Sequence, residues 1–485
     1  MKSATILASA LALLPAPSTA AGQAPATPVQ PQAVRPAVPD RELARRLDLY
    51  VRSFAESGLF SGVVLVRHDG RTVYERAYGM AERRFGVPLT TATRFMIASV
   101  SKPITAAAVA RLVDQGRLSF EDPISHYVEG IPNGDRITID QLLTHHSGLD
   151  SPDRQAGSET WMRLPNTTAQ LVDRVRASTP AYQPGERYFY ANANYWILAH
   201  LIERVSGLSY GEFLRREIFQ PLGMNDSGHR GDLLHVVPHL AEGYAPEGLS
   251  DYRLADLVDW TSKTGNGSLY STVDDLMRFQ DALASGRLLR PATTQRVLGA
   301  GAGIGYGWFH RDNADPRRRS VWFNGRSPGF TAFIEAFPAA GYSFIILSNL
   351  YVYSPTVMAD GIRNMIWNEP YRLQEPIRAA RVAPEALRRL EGTYQFGPTF
   401  FVRNGRAEME ARSDHLIMRW PSGGLVSTLI PLGNDVFFDP TFWATLRFEE
   451  GPQGRSIKYR TYGFDQDFLA TQVAASPPAP ERPAP

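Results

Sequence analysis

The sequence predicts an α+β protein in which a mixed domain of helices and strands precedes a small antiparallel β-barrel. Two observations lead to this fold class. Helical and strand patterns are interspersed over residues 41–375, whereas short strand patterns follow one another at regular spacing over residues 376–475. The length of 485 residues also exceeds what one compact core usually holds, which favours at least two domains.

Residues 1–20 have the features of a secretory signal peptide. Lys2 is followed by an apolar stretch over residues 4–14 and then by the small residues Ser18-Thr19-Ala20, which suit a cleavage site. The apolar stretch is too short to span a bilayer. We therefore expect a secreted or periplasmic protein without a membrane span.

The two ends of the chain are rich in proline and alanine. Residues 21–40 are predicted to be a linker and residues 476–485 a disordered tail, because such segments bury too little apolar surface to fold. The chain has no cysteine, which excludes a disulfide framework and a lipid-anchor cysteine. The net charge is only +2, and the cluster Arg317-Arg318-Arg319 is interpreted as a solvated loop, so no nucleic-acid partner is expected.

The first domain is predicted to begin with a helix over Arg41–Ser57 and a strand pair over Gly62–Glu75 that turns at His68-Asp69-Gly70. An alanine-rich helix over Pro103–Gln115 follows and ends at Gly116. The later segments with regular patterns are three helices and three strands: Tyr195–Val205, Tyr210–Ile218 and Val273–Leu283, then Ser320–Asn324, Phe330–Phe337 and Ser343–Ser348.

The second domain is predicted to contain seven or eight short strands after one helical turn at Pro384–Arg389. Gly, Pro, Asn and Asp separate the strands, as expected for tight turns. The predicted strands are Gly392–Phe396, Phe400–Arg403, His415–Arg419, Ser427–Pro431, Val436–Phe438, Ala444–Glu449 and Ile457–Tyr462.

Lys102 is the most informative residue for function. The chain has only four lysines, at positions 2, 102, 263 and 458, among 51 lysine and arginine residues. A buried lysine can lose its proton and act as a base, whereas an arginine cannot. Lys102 closes the run Ser99-Val100-Ser101-Lys102 at a predicted helix start, where residues three apart share a face. This arrangement predicts a Ser99 nucleophile, with Lys102 either as the base or as the charge that activates a second base.

A second candidate element is Tyr190-Ala191-Asn192, which precedes a predicted helix. A tyrosine held near a cationic Lys102 is expected to have a lowered pKa, which would suit Tyr190 to act as a general base. Asn192 offers both a hydrogen-bond donor and an acceptor, which suits contact with an amide-like substrate or with the lysine.

These runs resemble the serine β-lactamase and penicillin-recognising family, in the branch related to class C β-lactamases. The resemblance covers residues 45–375. It rests on the runs 95–102, Leu142-Leu143-Thr144-His145-His146-Ser147-Gly148-Leu149, Pro184-Gly185 before 190–192, 218–224 and 271–276. The predicted barrel resembles the lipocalin-like domain of some family members.

The resemblance implies acyl transfer without a metal or organic cofactor. Ser99 would attack a carbonyl, Lys102 and Tyr190 would move protons, and water would hydrolyse the acyl-enzyme. The oxyanion hole would combine the Ser99 amide with an amide from a neighbouring strand. The histidine pair in the run 142–149 is interpreted as part of a structural loop, and no metal site is predicted.

The strand beside the site should carry the family's third motif, and two segments compete for it. Lys263-Thr264-Gly265 has the residue types of the motif, which are Lys or His, a small or polar residue and then Gly, but it precedes a helix and not a strand pair. Phe323-Asn324-Gly325 lies before a strand pair and is favoured, with Gly325 close to the substrate and Arg326 supplying the second oxyanion amide. The predicted substrate-binding residues are therefore Asn192 together with Phe323, Asn324, Gly325 and Arg326.

In this assignment Phe323 stands where the family usually has a cationic or titratable residue. The loss of that charge favours an esterase-like serine hydrolase that cleaves ester or amide bonds. A β-lactamase or D-amino-acid-specific peptidase is one alternative, and a non-catalytic penicillin- or peptidoglycan-binding protein is another. The Arg326 side chain or Lys263 are candidates to restore a positive charge. The oligomeric state is left open.

Overall fold

The computed structural model describes residues 38–155, 157–248, 251–299, 304–400, 405–420, 425–452 and 454–474. The predicted signal peptide, the predicted tail and all but the last residues of the predicted linker lie outside these ranges. No helix within the described ranges is both long and apolar enough to cross a membrane.

The α-helices of the described residues begin and end as follows: α1 Asp40–Glu56, α2 Ser101–Asp114, α3 Ile139–Leu143, α4 Ser158–Trp161, α5 Thr168–Arg176, α6 Asn192–Ser206, α7 Tyr210–Leu214, α8 Gln220–Leu222, α9 Val273–Ala284, α10 Pro291–Val297, α11 Ser354–Ile366 and α12 Pro384–Arg388.

The strands in the same ranges are β1 Gly62–His68, β2 Arg71–Tyr78, β3 Met80–Glu82, β4 Val87–Pro88, β5 Phe95–Met96, β6 Gly228–His229, β7 Tyr244–Glu247, β8 Asp251–Leu254, β9 Leu269–Ser271, β10 Phe309–Arg311, β11 Ser320–Ser327, β12 Phe330–Phe337, β13 Tyr342–Ser348, β14 Gly392–Phe396, β15 Arg406–Ala411, β16 Leu416–Trp420, β17 Leu425–Gly433, β18 Val436–Asp439, β19 Ala444–Gly451, β20 Gly454–Thr461 and β21 Phe468–Val473.

The first domain is built on a six-stranded antiparallel sheet in the order β10-β11-β12-β13-β1-β2. Early and late parts of the chain meet at its centre, where Gly62 of β1 pairs with Ser348 of β13. Helices α1 and α11 pack on each other and on strands of this sheet, while α9 packs on β1 and β13. The sheet and these helices form one buried core, which α2 and α6 extend.

Helix α1 shows how the pattern of the sequence builds this core. Its buried residues recur at helical spacing and form one apolar stripe: Leu43, Leu47, Tyr50, Val51 and Phe54. Helix α2 is instead buried on almost every side, which explains its alanine-rich composition, since small side chains allow close packing all round. It therefore provides a rigid support for the residues at its N-terminus.

Strands β14–β21 close into an eight-stranded antiparallel barrel, in which β14 pairs with both β15 and β21. Aromatic side chains pack inside it: the rings of Phe396 and Phe400 stack at 3.9 Å, and Trp420 stacks on both. In β19 the buried and less buried residues alternate, as expected for a strand with one face in a core.

The barrel packs directly against the first domain. Tyr353 N donates to Pro440 O at 3.0 Å, and Thr428 Oγ1 donates to Pro246 O at 2.8 Å. Phe54 of α1 stacks on Trp443, with ring centroids 5.9 Å apart. The contacts therefore involve several elements of each domain.

The predicted fold class is confirmed, including the barrel, but two of its strands were not predicted correctly. The sequence predicts that Phe400 begins a strand, but Phe400 lies in a turn and its ring packs inside the barrel. The second strand of the barrel is Arg406–Ala411. Residues 401–403 of that prediction fall outside the described ranges. The closing strand Phe468–Val473 was missed, because its burial alternates only over its first residues.

Candidate active site

Ser99 lies in a tight turn between a strand and a helix. Strand β5 leads into a 3₁₀ turn over Ala98–Val100, and α2 follows directly. Ala98 has a left-handed φ of 48°, which costs a non-glycine residue roughly 1–2 kcal/mol. Ile97 N donates to Leu269 O of β9 at 2.9 Å and so anchors the turn. Ser99 remains partly exposed while the residues on both sides of it are buried.

The three side chains that the sequence predicts as catalytic meet at Ser99 Oγ. Lys102 Nζ lies 3.1 Å from this oxygen, and Tyr190 Oη also lies 3.1 Å from it. The spacing of three residues brings Ser99 and Lys102 together, although Ser99 lies in the turn before α2 and not within the helix. Tyr190 comes from the segment that leads into α6.

Lys102 has no exposed surface, and its Nζ lies within hydrogen-bond distance of three oxygen atoms. Besides Ser99 Oγ, its Nζ donates to Asn192 Oδ1 at 2.9 Å and to Asn266 O at 3.1 Å. Burial holds the pKa of Lys102 well below its ordinary value of 10.5, and the charge of Asp153 only partly opposes this shift. Of the two roles expected for Asn192, contact with the lysine is the one seen here.

The pKa of Tyr190 does not follow the expectation that a nearby cation lowers it. Burial raises the pKa of Tyr190 above its ordinary value of 10.0, and the opposing effects of the Ser99 hydrogen bond and of the Arg154 charge are smaller. The lowered pKa predicted from the sequence is therefore wrong in direction. The reason is that the same burial that favours a neutral lysine also favours a neutral phenol.

His145 supports the segment that carries Tyr190. Its ring stacks on the Tyr190 ring with centroids 4.4 Å apart, and Ala191 N donates to His145 Nδ1 at 3.2 Å. Burial holds the pKa of His145 well below 6.5, so the ring is neutral. No cluster of three or more His, Asp or Glu side chains that could hold a metal ion occurs among the described residues.

Sequence reasoning missed two residues that hold the site together. Asp153, buried in the 3₁₀ turn Pro152–Arg154, accepts a hydrogen bond from Asn192 Nδ2 at 2.6 Å. Asn266 supplies the carbonyl that Lys102 contacts, and its side chain accepts from Trp196 Nε1 at 2.9 Å. Nothing local to either residue signals these roles, since their partners are distant in sequence.

Strand β11 passes at Gly325 directly beside the turn that carries Ser99. A Cβ atom at Gly325 would lie 2.5 Å from Ile97 O and 2.9 Å from Ser99 N, so no larger residue fits without movement of the strand. By contrast, a Cβ at Gly265 would lie 2.2 Å from Tyr195 O, in the interior of the domain. The segment 323–325 thus occupies the strand beside Ser99, and 263–265 does not.

The side chains that flank Gly325 point to other surroundings. Phe323 is completely buried and stacks on Phe309 at 4.9 Å, so its ring belongs to the core. Asn324 is also buried. Its side chain lies on the opposite face of the sheet from that of Phe323, because side chains alternate along a strand. The Arg326 guanidinium donates to Thr441 O in the barrel and lies about 5 Å from the ring of Phe442. Arg326 therefore does not bring a charge to Ser99.

Lys263 lies close to the site, although its segment does not form the strand beside Ser99. It ends the 3₁₀ turn Trp260–Lys263 and is buried. The positive charge of Lys263 is one of the influences that lower the pKa of Lys102, and Asp153 acts on both lysines.

A comparison with protein families identifies the first domain. The family model described as Beta-lactamase matches residues 47–363, which is well over half of the chain. The chain is 27% identical over 418 residues to Penicillin-binding protein 4* of Bacillus subtilis (strain 168), with 81% of this chain and 91% of that protein covered. It is 29% identical over 362 residues to Esterase EstB of Burkholderia gladioli, with 63% and 90% covered.

Solved structures show the same fold. The octameric penicillin-binding protein homologue from Pyrococcus abyssi superposes with a TM-score of 0.60 at 23% identity, covering 88% of this chain and 99% of that one. At this level of identity the likeness concerns the fold alone.

Proposed function

The chain belongs to the beta-lactamase family and is a serine hydrolase, and from this premise we propose that it cleaves esters and related amides through an acyl intermediate on Ser99. The observation that carries the proposal is the contact of Ser99 Oγ with both Lys102 Nζ and Tyr190 Oη, each at 3.1 Å. A hydroxyl between a neutral amine and a phenol is arranged for proton removal.

Lys102 is the base in this proposal. A neutral amine has two N–H groups for Asn192 and Asn266 and one lone pair left for the Ser99 proton, so its surroundings match the neutral form. As Ser99 Oγ bonds to the substrate carbonyl carbon, its proton moves to Lys102. The proton then passes to the leaving group through Tyr190, which gives up its own hydroxyl proton and takes the one from Lys102. A water molecule then attacks the acyl carbonyl in the same way, and the bond to Ser99 Oγ breaks to release the acid.

The amides of Ser99 and Arg326 form the proposed oxyanion hole. Gly325 allows β11 to approach the turn, since a Cβ there would lie 2.9 Å from Ser99 N. Two amides that point at the developing negative charge stabilise the tetrahedral intermediate, and the loss of one such donor typically costs about 10²–10³-fold in kcat.

The esterase assignment is supported by Phe323 and by one relative. A completely buried phenyl ring takes the place of the family's third-motif cation. The relative named as an esterase is 29% identical over 362 residues. Two alternatives remain in the test: a β-lactamase or D-amino-acid-specific peptidase, and a non-catalytic penicillin- or peptidoglycan-binding protein.

Intact-protein mass spectrometry separates these functions. Wild type, Ser99→Ala and Ser101→Ala are each exposed to a fluorophosphonate, an aryl ester and a β-lactam. Ser101 is the matched control, because it is a buried neighbour whose Oγ accepts the Leu269 amide at 3.2 Å. We expect adducts on wild type and Ser101→Ala, none on Ser99→Ala, and fast turnover of the aryl ester only. An adduct on Ser99→Ala would refute the nucleophile, and stable adducts without turnover would favour the binding protein.

We also propose that the protein is exported, on the basis of the signal-like features of residues 1–20. Expression of the full chain in a bacterial host, followed by cell fractionation and N-terminal sequencing, tests this point. Cleavage after Ala20 and recovery outside the cytoplasm are expected. An intact N-terminus in the cytoplasmic fraction would contradict it.

A further inference from the structure

Lys263 places a second lysine side chain next to the turn that carries Ser99. The residue is only 8% exposed. Gly267 lies between it and the turn, since a Cβ there would contact Lys263 Cβ at 3.5 Å and the Ala98 carbonyl carbon at 3.7 Å. Lys263 is thus a neighbour of the reacting serine, although the chemistry proposed above does not use it.

The ammonium group of Lys263 has no protein partner within the described ranges. Lys102 Nζ contacts three oxygen atoms at 2.9–3.1 Å, and Lys458 on the barrel forms an ion pair with Glu449 at 2.8 Å. For Lys263, by contrast, the described residues supply neither a hydrogen bond nor a carboxylate within 4.0 Å, and Asp153 acts on it only through its charge. A buried charge without a partner is costly, so a group from outside the chain that neutralises it would bind favourably.

Lys263 lines an open pocket of about 80 Å³ at the end of strand β11. Ser327, the last residue of β11, also lines it, so the pocket lies beyond the part of β11 that passes beside Ser99. The side chains of Met162, Val258 and Tyr351 form part of an apolar wall. Such a pocket can hold a short hydrocarbon chain and present Lys263 to its end.

The charges around the pocket favour an anion. Lys263 and Arg163 line it together with Glu159 and Asp256. Asp256 is already neutralised by Arg253, whose Nη1 lies 2.8 Å from its Oδ1. Two cations therefore face one uncompensated carboxylate. Burial lowers the pKa of Lys263, an effect that Asp153 opposes and that a bound carboxylate would oppose further.

We propose that Lys263 binds a carboxylate on the acyl chain of the substrate. Lys102 and Tyr190 deliver the proton to the leaving group, so the leaving group faces these residues. The acyl chain then extends the other way, along β11 past Arg326 towards Ser327 and the pocket. This inference rests on the proposed function, because it concerns the substrate of the same site.

Two esters with the same leaving group and chain length test the proposal: 4-nitrophenyl butyrate, which is neutral, and mono-4-nitrophenyl succinate, which ends in a carboxylate. The assays are made on the pH plateau, where Lys102 is neutral whether or not the Lys263 charge is present. In Lys263→Met we expect kcat/KM for the succinate ester to fall at least tenfold, mainly through a higher KM, while the butyrate value stays within about twofold. Lys263→Arg should retain part of the preference. Lys458→Met, the control at an exposed lysine, should change neither ester.

Equal losses with both esters in Lys263→Met would overturn the proposal, as would an unchanged succinate value. A direct binding measurement tests the carboxylate site separately from the esterase function. Monomethyl succinate is titrated by calorimetry into Ser99→Ala and into Ser99→Ala with Lys263→Met. Weaker binding to the double variant supports the carboxylate site even if wild type hydrolyses neither ester, a result that would refute the esterase function alone. Equal binding refutes the site.

Discussion

Lys102 and Tyr190 share one buried environment around Ser99, and burial favours the uncharged form of both side chains. The pKa of the lysine is lowered and that of the tyrosine is raised. A neutral amine is basic enough to accept the Ser99 proton. A neutral phenol is not, and it can only donate a hydrogen bond or relay a proton between two other groups. The direction of the two shifts thus divides the work between them.

This division predicts the pH profile. As pH rises, Lys102 loses its proton, so kcat/KM should increase and reach a plateau well below pH 10.5, the ordinary pKa of lysine. Tyr190→Phe should lower the plateau by roughly 10²-fold, a typical loss for a proton-relay group, and leave the inflection in place. Steady-state hydrolysis of 4-nitrophenyl butyrate from pH 5 to 10 measures both quantities.

Tyr188→Phe is the matched control. Its hydroxyl is buried close to the site but has no hydrogen-bond partner in the described part of the chain, so its removal should leave the whole profile almost unchanged. If the inflection moved or disappeared in Tyr190→Phe, the tyrosine would be the titrating group and the assignment of Lys102 as base would be wrong.

Strand β11 lies in close contact with the turn that carries Ser99. Gly325→Ala places a methyl group 2.5 Å from Ile97 O and 2.9 Å from Ser99 N, and both contacts are with backbone that cannot rotate away. The strand must therefore move outward and take the Arg326 amide with it. We expect kcat to fall by about 10²-fold or more, as for the loss of an oxyanion donor, with little change in KM.

Gly397→Ala provides the comparison for this variant. Among the described residues, a Cβ at Gly397 would contact only Leu469 O, at an ordinary 3.8 Å, and Gly397 lies in the barrel. Esterase kinetics should match wild type, and thermal melting of both variants shows whether folding is intact. A fully active Gly325→Ala enzyme would remove β11 from the oxyanion hole.

The elements differ in how far the sequence predicts them. Helix α2 and the strands β11–β13 carry dense local signals, and their bounds were found within a few residues. The pair Ser99 and Lys102 is also local. The contacts of Asp153, Asn266 and Lys263 are not, because each depends on chain segments that only the folded core brings together. The turn at Phe400 was read as a strand because its ring is apolar and its neighbours resemble barrel residues.

At the scale of the whole molecule, the barrel packs against the strand that serves the active site. The Arg326 side chain contacts Thr441 O and lies within 4.9–5.3 Å of the rings of Tyr351, Tyr353 and Phe442. Tyr351 and Tyr353 follow β13 in the first domain, yet they share a hydrophobic cluster with barrel residues. A shared cluster of this kind couples the two domains energetically.

Phe442→Ala tests this coupling. Truncation of a buried phenylalanine typically costs about 3–5 kcal/mol, and here the loss falls on the shared cluster. We expect calorimetry to show one unfolding transition at a lower Tm, with loss of esterase activity at the same temperature. Leu469→Ala, at a barrel side chain that is 56% exposed, should leave Tm almost unchanged. Two separate transitions would show that the domains unfold independently.

The pairing of β1 with β13 has a consequence for biosynthesis. One edge of β1 finds β2 as soon as the hairpin has been made, but the other edge must wait for β13, near the end of the first domain. At about 5–20 residues per second, a ribosome needs on the order of 15–60 s to synthesise the chain between them. Throughout that interval the apolar residues Val63–Val66 lack their partner strand, and β11 is synthesised only near its end. The nascent chain should therefore depend on chaperones and stay inactive until translation has passed the last strand of the sheet.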